Sequence, residues 1–177
     1  MAQHLKLKKM NFRTDIPVLF DVINSTEVQR TIIHKPPINT LPEFDEWLQL
    51  QLKGFFHDFY SITDVNEFEY AGCIYSYDFS YVDLNCKVAL NVLTKFYDSF
   101  DEIFDNFCKT LFTQYPLHKI FCLVQANNPN LIELLKRNNF EKEGEFKEYR
   151  FIDGKYVNLY IYSVKRADII QILQGQS

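Results

Sequence analysis

At 177 residues, with 47% hydrophobic and 24% charged residues, the chain is long enough to bury a sizeable core and ordinary enough in composition for one globular domain. Its formal net charge of −4 argues against sequence-independent binding to nucleic acid, which needs a basic surface. The N-terminal stretch MAQHLKLKKM lacks a hydrophobic signal core and no apolar run reaches membrane-spanning length, so the expectation is a soluble, cytoplasmic chain without a membrane partner.

In chain order, Leu5 and Leu7 alternate with lysines as in a half-buried first strand. Thr14 or Asp15 can cap a helix with Pro17 in its first turn and Ile16, Leu19, Phe20 and Ile23 on one face. His34–Asn39, with Pro36 and Pro37, cannot continue that helix and is expected as a loop. Thr40 and Glu43 form a capping box for a second helix that turns Phe44, Trp47, Leu48 and Leu52 inward and stops at Gly54.

Phe55–Thr63, Phe68–Phe79 and Cys86–Phe96 have the β-branched and aromatic content of strands, joined by turns at Asp64–Asn66 and Ser80–Asp83. Ser99 with Glu102 then predicts a capped helix carrying Ile103, Phe104, Phe107, Leu111 and Phe112 inward, ended by Pro116.

Ile120–Gln125 predicts a buried strand. Asn127 and Asn128 offer a cap, Pro129 suits a first helical turn, and Leu131, Ile132, Leu134 and Leu135 make an apolar stripe. Lys136 and Arg137 complement the helix dipole, and Asn139 tolerates the left-handed conformation that ends many helices. Glu141–Ile152 and Lys155–Val164 then pair across Asp153-Gly154, and Ala167–Leu173 predicts a short terminal helix. The organisation expected is one domain over 1–165 and a helix or tail over 166–177. Cys73, Cys86, Cys108 and Cys122 are widely spaced, without Cys-x-x-Cys or paired histidines, which predicts buried reduced thiols and no metal site.

The run Asn128-Pro129-Asn130-Leu131 through Asn139-Phe140 and Glu143-Gly144 resembles the GNAT superfamily of acyl-CoA N-acyltransferases. It is most similar to the branch that acetylates ribosomal-protein N-termini, as are Asp153-Gly154-Lys155 and Tyr160-Ile161-Tyr162-Ser163 downstream. Leu131 stands where that pattern has Ser, and Asn139 where it has Gly. The resemblance implies an α/β (α+β) fold: one mixed, mostly antiparallel seven-stranded sheet with helices on both faces. Its central strands, Cys86–Phe96 and Ile120–Gln125, would run parallel and splay apart near Leu93 and Gln125.

The activity it implies is transfer of acetyl from acetyl-CoA to a primary amine (a protein N-terminus, a polyamine or a small amine) by a monomer or homodimer and without a metal. The alternative is a GNAT-fold binding or regulatory module that has lost effective CoA binding. In the family an Arg/Gln-x-x-Gly-x-Gly loop holds the pyrophosphate on backbone N–H groups. Here Leu93, Thr94, Lys95, Tyr97, Asp98, Ser99 and Phe100 occupy that stretch, with Asp98 and Phe100 at about the two glycine positions. Asn128 matches the family's asparagine near the thioester, and a helix cap is its other role. Glu69 and Asp78 are the candidate proton relays, each otherwise an ordinary solvated strand residue. Trp47, His57, Tyr75 and Tyr77 are candidates for the acceptor pocket, with core packing as the competing role of the rings.

Overall fold

The computed structural model describes residues 4–34, 39–66 and 68–169. The elements run β1 (Leu5–Lys9), α1 (Asp15–Asn24), α2 (Thr26–Gln29), α3 (Leu41–Gly54), β2 (Phe56–Asp64), β3 (Tyr70–Ser80) and β4 (Asn85–Val92). A 3₁₀ turn follows over Thr94–Ser99, then α4 (Asp101–Gln114), β5 (Lys119–Gln125), α5 (Pro129–Arg137), β6 (Glu141–Ile152) and β7 (Lys155–Lys165). The strands form one seven-stranded sheet in the order β1-β2-β3-β4-β5-β7-β6. β1–β2, β2–β3, β5–β7 and β6–β7 are antiparallel, and β4–β5 is parallel, as expected for strands joined through a crossover helix. The parallel register runs from Asn85↔Lys119 to Val88↔Cys122 and ends there, before Leu93 and Gln125.

The chain divides into two compact units, Met1–Asp78 with Ala89–Ser99, and Phe79–Val88 with Phe100–Ser177. In the first, α1, α2 and α3 bring Ile16, Leu19, Ile23, Val28, Phe44 and Leu48 against Phe56, Cys73, Tyr75, Tyr77 and Ala89. Each large apolar side chain so buried contributes about 1.5–3 kcal/mol before chain entropy is counted. The Thr40–Glu43 capping box forms, with Thr40 N–H and Oγ1 both donating to Glu43 Oε2.

The cap of α1 differs from both expected forms. Thr14 holds the N-cap position without a side-chain cap bond. Asp15 turns inward and is fully buried, where it accepts from Tyr70 Oη (2.6 Å), Asn11 N–H (2.8 Å), Thr14 Oγ1 (2.8 Å) and Lys8 Nζ (3.2 Å). Burial pushes its carboxyl up, but the Tyr70, Asn11, Thr14 and Lys8 donors outweigh it and hold it below the usual range.

In the second unit α4 buries Ile103, Phe104, Phe107, Cys108, Leu111 and Phe112, and α5 buries Leu131, Leu134 and Leu135. α5 ends as predicted: Asn139 has φ 61°, its N–H bonds Lys136 O at 3.1 Å, and Phe140 N–H bonds Leu135 O at 2.9 Å. That pair of bonds is a Schellman closure. Asp153 (φ 49°) and Gly154 (φ 79°) make the two-residue turn between β6 and β7.

Two expectations are corrected. β4 stops at Val92, so Thr94, Lys95 and Phe96 belong to the 3₁₀ turn and not to a strand reaching Phe96. Ser99 is not the cap of α4: the N-cap is Phe100, with no side-chain cap bond, because the buried Phe96 and Phe100 rings fix the chain there. Residues 35–38 of the expected proline loop lie outside the described residues. Of the expected terminal helix, 166–169 are helical and 170–173 lie outside.

Candidate active site

β4 leaves its ladder in an unusual way. Gly72 on β3 has φ 150°, and a Cβ there would lie 2.0 Å from Asn91 O, so only glycine lets the backbone of β4 come this close. Leu93 N–H then bonds Ala71 O at 2.9 Å, and Phe96 N–H bonds Leu93 O at 3.1 Å, which winds the chain into the 3₁₀ turn. Phe96 and Tyr97 are buried, while Thr94, Lys95 and Asp98 face water. Phe100 is fully buried and Ser99 half-buried.

Two carboxylates attend this turn. Glu27 Oε2, from α2, accepts the Thr94 N–H at 3.1 Å. Glu69 pairs with Lys95, so this candidate relay is bound to a member of the candidate phosphate segment. The Thr94 amide thus already carries an anion, which fits the polarity a phosphate requires. The occupant is nonetheless part of the chain and opposes a second anion.

The second group of candidates lies on β2 and β3. Phe56 packs on Tyr75 (ring centroids 4.1 Å apart) and on Trp47 (5.9 Å), and Phe59 stacks on Tyr75 at 5.4 Å. Tyr75 and Tyr77 are buried, and His34 sits edge-on to Tyr77 at 4.4 Å. His34 Nδ1 is 2.8 Å from Tyr75 Oη, and Asn91 Nδ2 donates to the same oxygen at 3.4 Å. Trp47, Tyr75 and Tyr77 are therefore brought together.

His57 is not with them. The register pairs Phe56 with Tyr77 and His57 with Ser76, which puts His57 on the other face of the strand. Asp78, with φ 52°, is exposed near the end of β3 and outside the ring cluster.

Sequence reasoning missed His34, Asn91 and Glu27. His34 was hidden in a proline-rich stretch read only as a loop. Asn91 had a visible signal, as the one polar residue in Val88-Ala89-Leu90-Asn91-Val92-Leu93. Nothing local marks Glu27.

In the second unit Asn128 is buried and caps α5, its Oδ1 accepting the Leu131 N–H at 3.1 Å, while its own N–H bonds Gln125 O at 3.0 Å. All four cysteines are buried and free. Burial pushes the Cys73 and Cys122 thiols up to about 12, and the Cys108 thiol well above its ordinary value. These three remain thiols at neutral pH, which makes them poor nucleophiles. Among the described residues no group of His, Cys, Asp and Glu is arranged to hold a metal, and no helix is long and apolar enough to cross a membrane.

No family model matches the sequence, and no curated protein sequence matches it. Solved structures do. The spermidine N-acetyltransferase of Vibrio cholerae, solved with CoA and spermine, superposes with a TM-score of 0.82 at 18% identity, covering 94% of this chain and 98% of that one. A ribosomal L7/L12 alpha-N-protein acetyltransferase in complex with coenzyme A gives 0.78 at 16% identity, covering 92% of this chain and 94% of that one. At such identities the likeness concerns the fold alone, which this chain shares with these two acetyltransferases.

Proposed function

We propose that the chain is an acetyl-CoA-dependent N-acetyltransferase acting on a primary amine, carried by a small molecule or a protein N-terminus. The observation that carries this reading is the near full-length likeness to acetyltransferases solved with CoA, joined to a parallel β4–β5 pair that such a fold requires. Acetyl-CoA supplies the activated acyl group. In this reading the backbone of Leu93–Ser99 receives the pyrophosphate, with Lys95 as the nearby cation; Asn128, in the other unit, caps α5. Trp47, Tyr75 and Tyr77 border the acceptor. Transfer is direct in this reading, and all four cysteines are buried and free. Glu69 and Asp78 are secondary candidates as relays: one is already ion-paired and the other faces solvent. The net charge of −4 favours an amine over nucleic acid as partner. The chain would work in the cytoplasm as a monomer or homodimer.

One observation favours a second reading, a binding or regulatory module without catalysis. The phosphate segment has no glycine, and its Thr94 amide is held by Glu27. Thiol release from acetyl-CoA separates the two. The enzyme reading predicts release that depends on an added amine, with spermidine and a peptide bearing a free N-terminus as probes. Absence of CoA binding at millimolar ligand overturns it and leaves the module.

A further inference from the structure

Two hydrogen-bonded groups of polar side chains in the first unit, each reaching a buried residue, differ in geometry. Asp15, Tyr70, Thr14 and Lys8 close on one another, as a structural network does. Asn91, Tyr75 and His34 form a line instead. Asn91 is 5% exposed and Tyr75 2%, while His34 is only half-buried, so the line leads from the end of β4 towards solvent.

We propose that Tyr75 and His34 are the proton relay of the acyl transfer, with Tyr75 Oη meeting the acceptor amine and His34 taking the proton onward. The proposal rests on the acetyltransferase reading above and goes beyond it by assigning the base.

The direction of the line follows from donor and acceptor inventory. The Asn91 amide nitrogen can only donate, so Tyr75 Oη accepts from it. At 3.4 Å that contact is long, and it orients the hydroxyl more than it adds strength. In the relay the hydroxyl proton points to His34 Nδ1, 2.8 Å away, which receives it in the tautomer protonated on Nε2. The imidazole is held there by Phe55, Phe56 and Tyr77, with centroids 5.2, 5.7 and 4.4 Å away. Of the residues facing it in these contacts, Tyr75 and Tyr77 are titratable and the others are phenylalanines. An asparagine placed among aliphatic strand residues stabilises little, since an apolar residue of like shape there would be about neutral. Orienting a reactive hydroxyl is a use that an apolar residue could not serve.

The step balances. The acceptor ammonium passes one proton to Tyr75 Oη as Tyr75 passes its own to His34 Nδ1, and the imidazolium releases its Nε2 proton to water. The freed amine forms a C–N bond to the acetyl carbonyl carbon as the C–S bond breaks. The second amine proton ends on the departing thiolate, giving the amide, CoA thiol and one proton in solution. Tyr75 is the catalytic residue and His34 and Asn91 are positioning residues.

The test is kcat/KM of the full chain between about pH 5 and 9, with spermidine and a peptide with a free N-terminus as acceptors, and CoA affinity measured alongside. The parent is expected to show an ascending limb that reports the relay. Tyr75→Phe, which keeps the packed ring, and His34→Gln should each lower kcat/KM by roughly 100-fold or more, abolish that limb and leave CoA affinity unchanged. Asn91→Leu should lower the rate less and keep the limb. Either of the first two variants keeping both rate and limb overturns the relay, as does a parent that binds CoA but turns over neither acceptor. A parent that binds no CoA overturns the acetyltransferase reading itself.

Discussion

After β5 the chain enters a helix through Ala126–Asn128, and after β4 through Leu93–Phe100, and the two passages use different chemistry. Following β5, a neighbouring side chain does the work: Asn128 Oδ1 takes the Leu131 N–H, Pro129 fills the first turn, and Asn139 closes the far end at φ 61°. Following β4, the groups that fix the backbone come from afar in sequence. Ala71 O receives the Leu93 N–H, Glu27 receives the Thr94 N–H across 67 residues, and Gly72 leaves room for Asn91 O. Local polar caps are legible residue by residue, whereas tertiary partners are visible only once the chain has folded.

The largest effect that could break this contrast is at Gly72. Gly72→Val should destabilise by roughly 3 kcal/mol or more in urea unfolding, because the atom it meets is backbone and cannot rotate away. Gly154→Ala, whose Cβ meets nothing within 4 Å, should cost only the left-handed strain of about 1–2 kcal/mol. Parity between the two would mean that β4 does not depend on that approach.

Next in size is the Schellman closure. Asn139→Gly should be neutral or slightly stabilising and Asn139→Val should cost about 1–2 kcal/mol, read as melting temperature. Equal melting temperatures would place the end of α5 elsewhere.

The caps themselves give the most direct contrast. Asn128→Ala should cost about 1 kcal/mol, whereas Ser99→Ala should stay within about 0.5 kcal/mol, because Ser99 caps nothing. Similar losses at both positions would erase the difference between the two passages.

The smallest effect concerns affinity. Glu27→Gln removes a charge from the Thr94 amide and should tighten acetyl-CoA by about fivefold at low salt, with the gain shrinking as salt rises. Asp98→Gly should change affinity by less than about twofold, since Asp98 faces water. The reverse ranking in a calorimetric titration would show that Asp98, and not Glu27, opposes the phosphates.

The fold was readable wherever a segment carries its own instructions. Period-two and period-3.6 patterns marked the strands and α3, α4 and α5, and Asp153-Gly154 marked the last hairpin. The β4 boundary was not readable, because Thr94-Lys95-Phe96-Tyr97 has strand-like composition. Its 3₁₀ turn instead follows from burying Phe96 beside a bond to β3. Ser99 with Glu102 satisfied the capping-box spacing, yet the chain put Phe100 at the cap, so tertiary burial outweighed a cap worth about 1 kcal/mol. Among the acceptor candidates the three aromatic residues were found together, since Tyr75 and Tyr77 share a face of β3 and Trp47 of α3 packs on Phe56 beside them. His57, one residue from Phe56, fell on the opposite one.

The central claim is that Leu93–Ser99, without glycine and with Glu27 on its Thr94 amide, still receives the phosphates of an acyl-CoA. Backbone amide NMR of the full chain during a titration with CoA tests it most directly. The account predicts saturable shifts among the amides of Leu93–Ser99, led by Thr94 as Glu27 gives way, with larger occupancy at equal ligand in Glu27→Gln. No shift in that segment at millimolar CoA, in either protein, would contradict it.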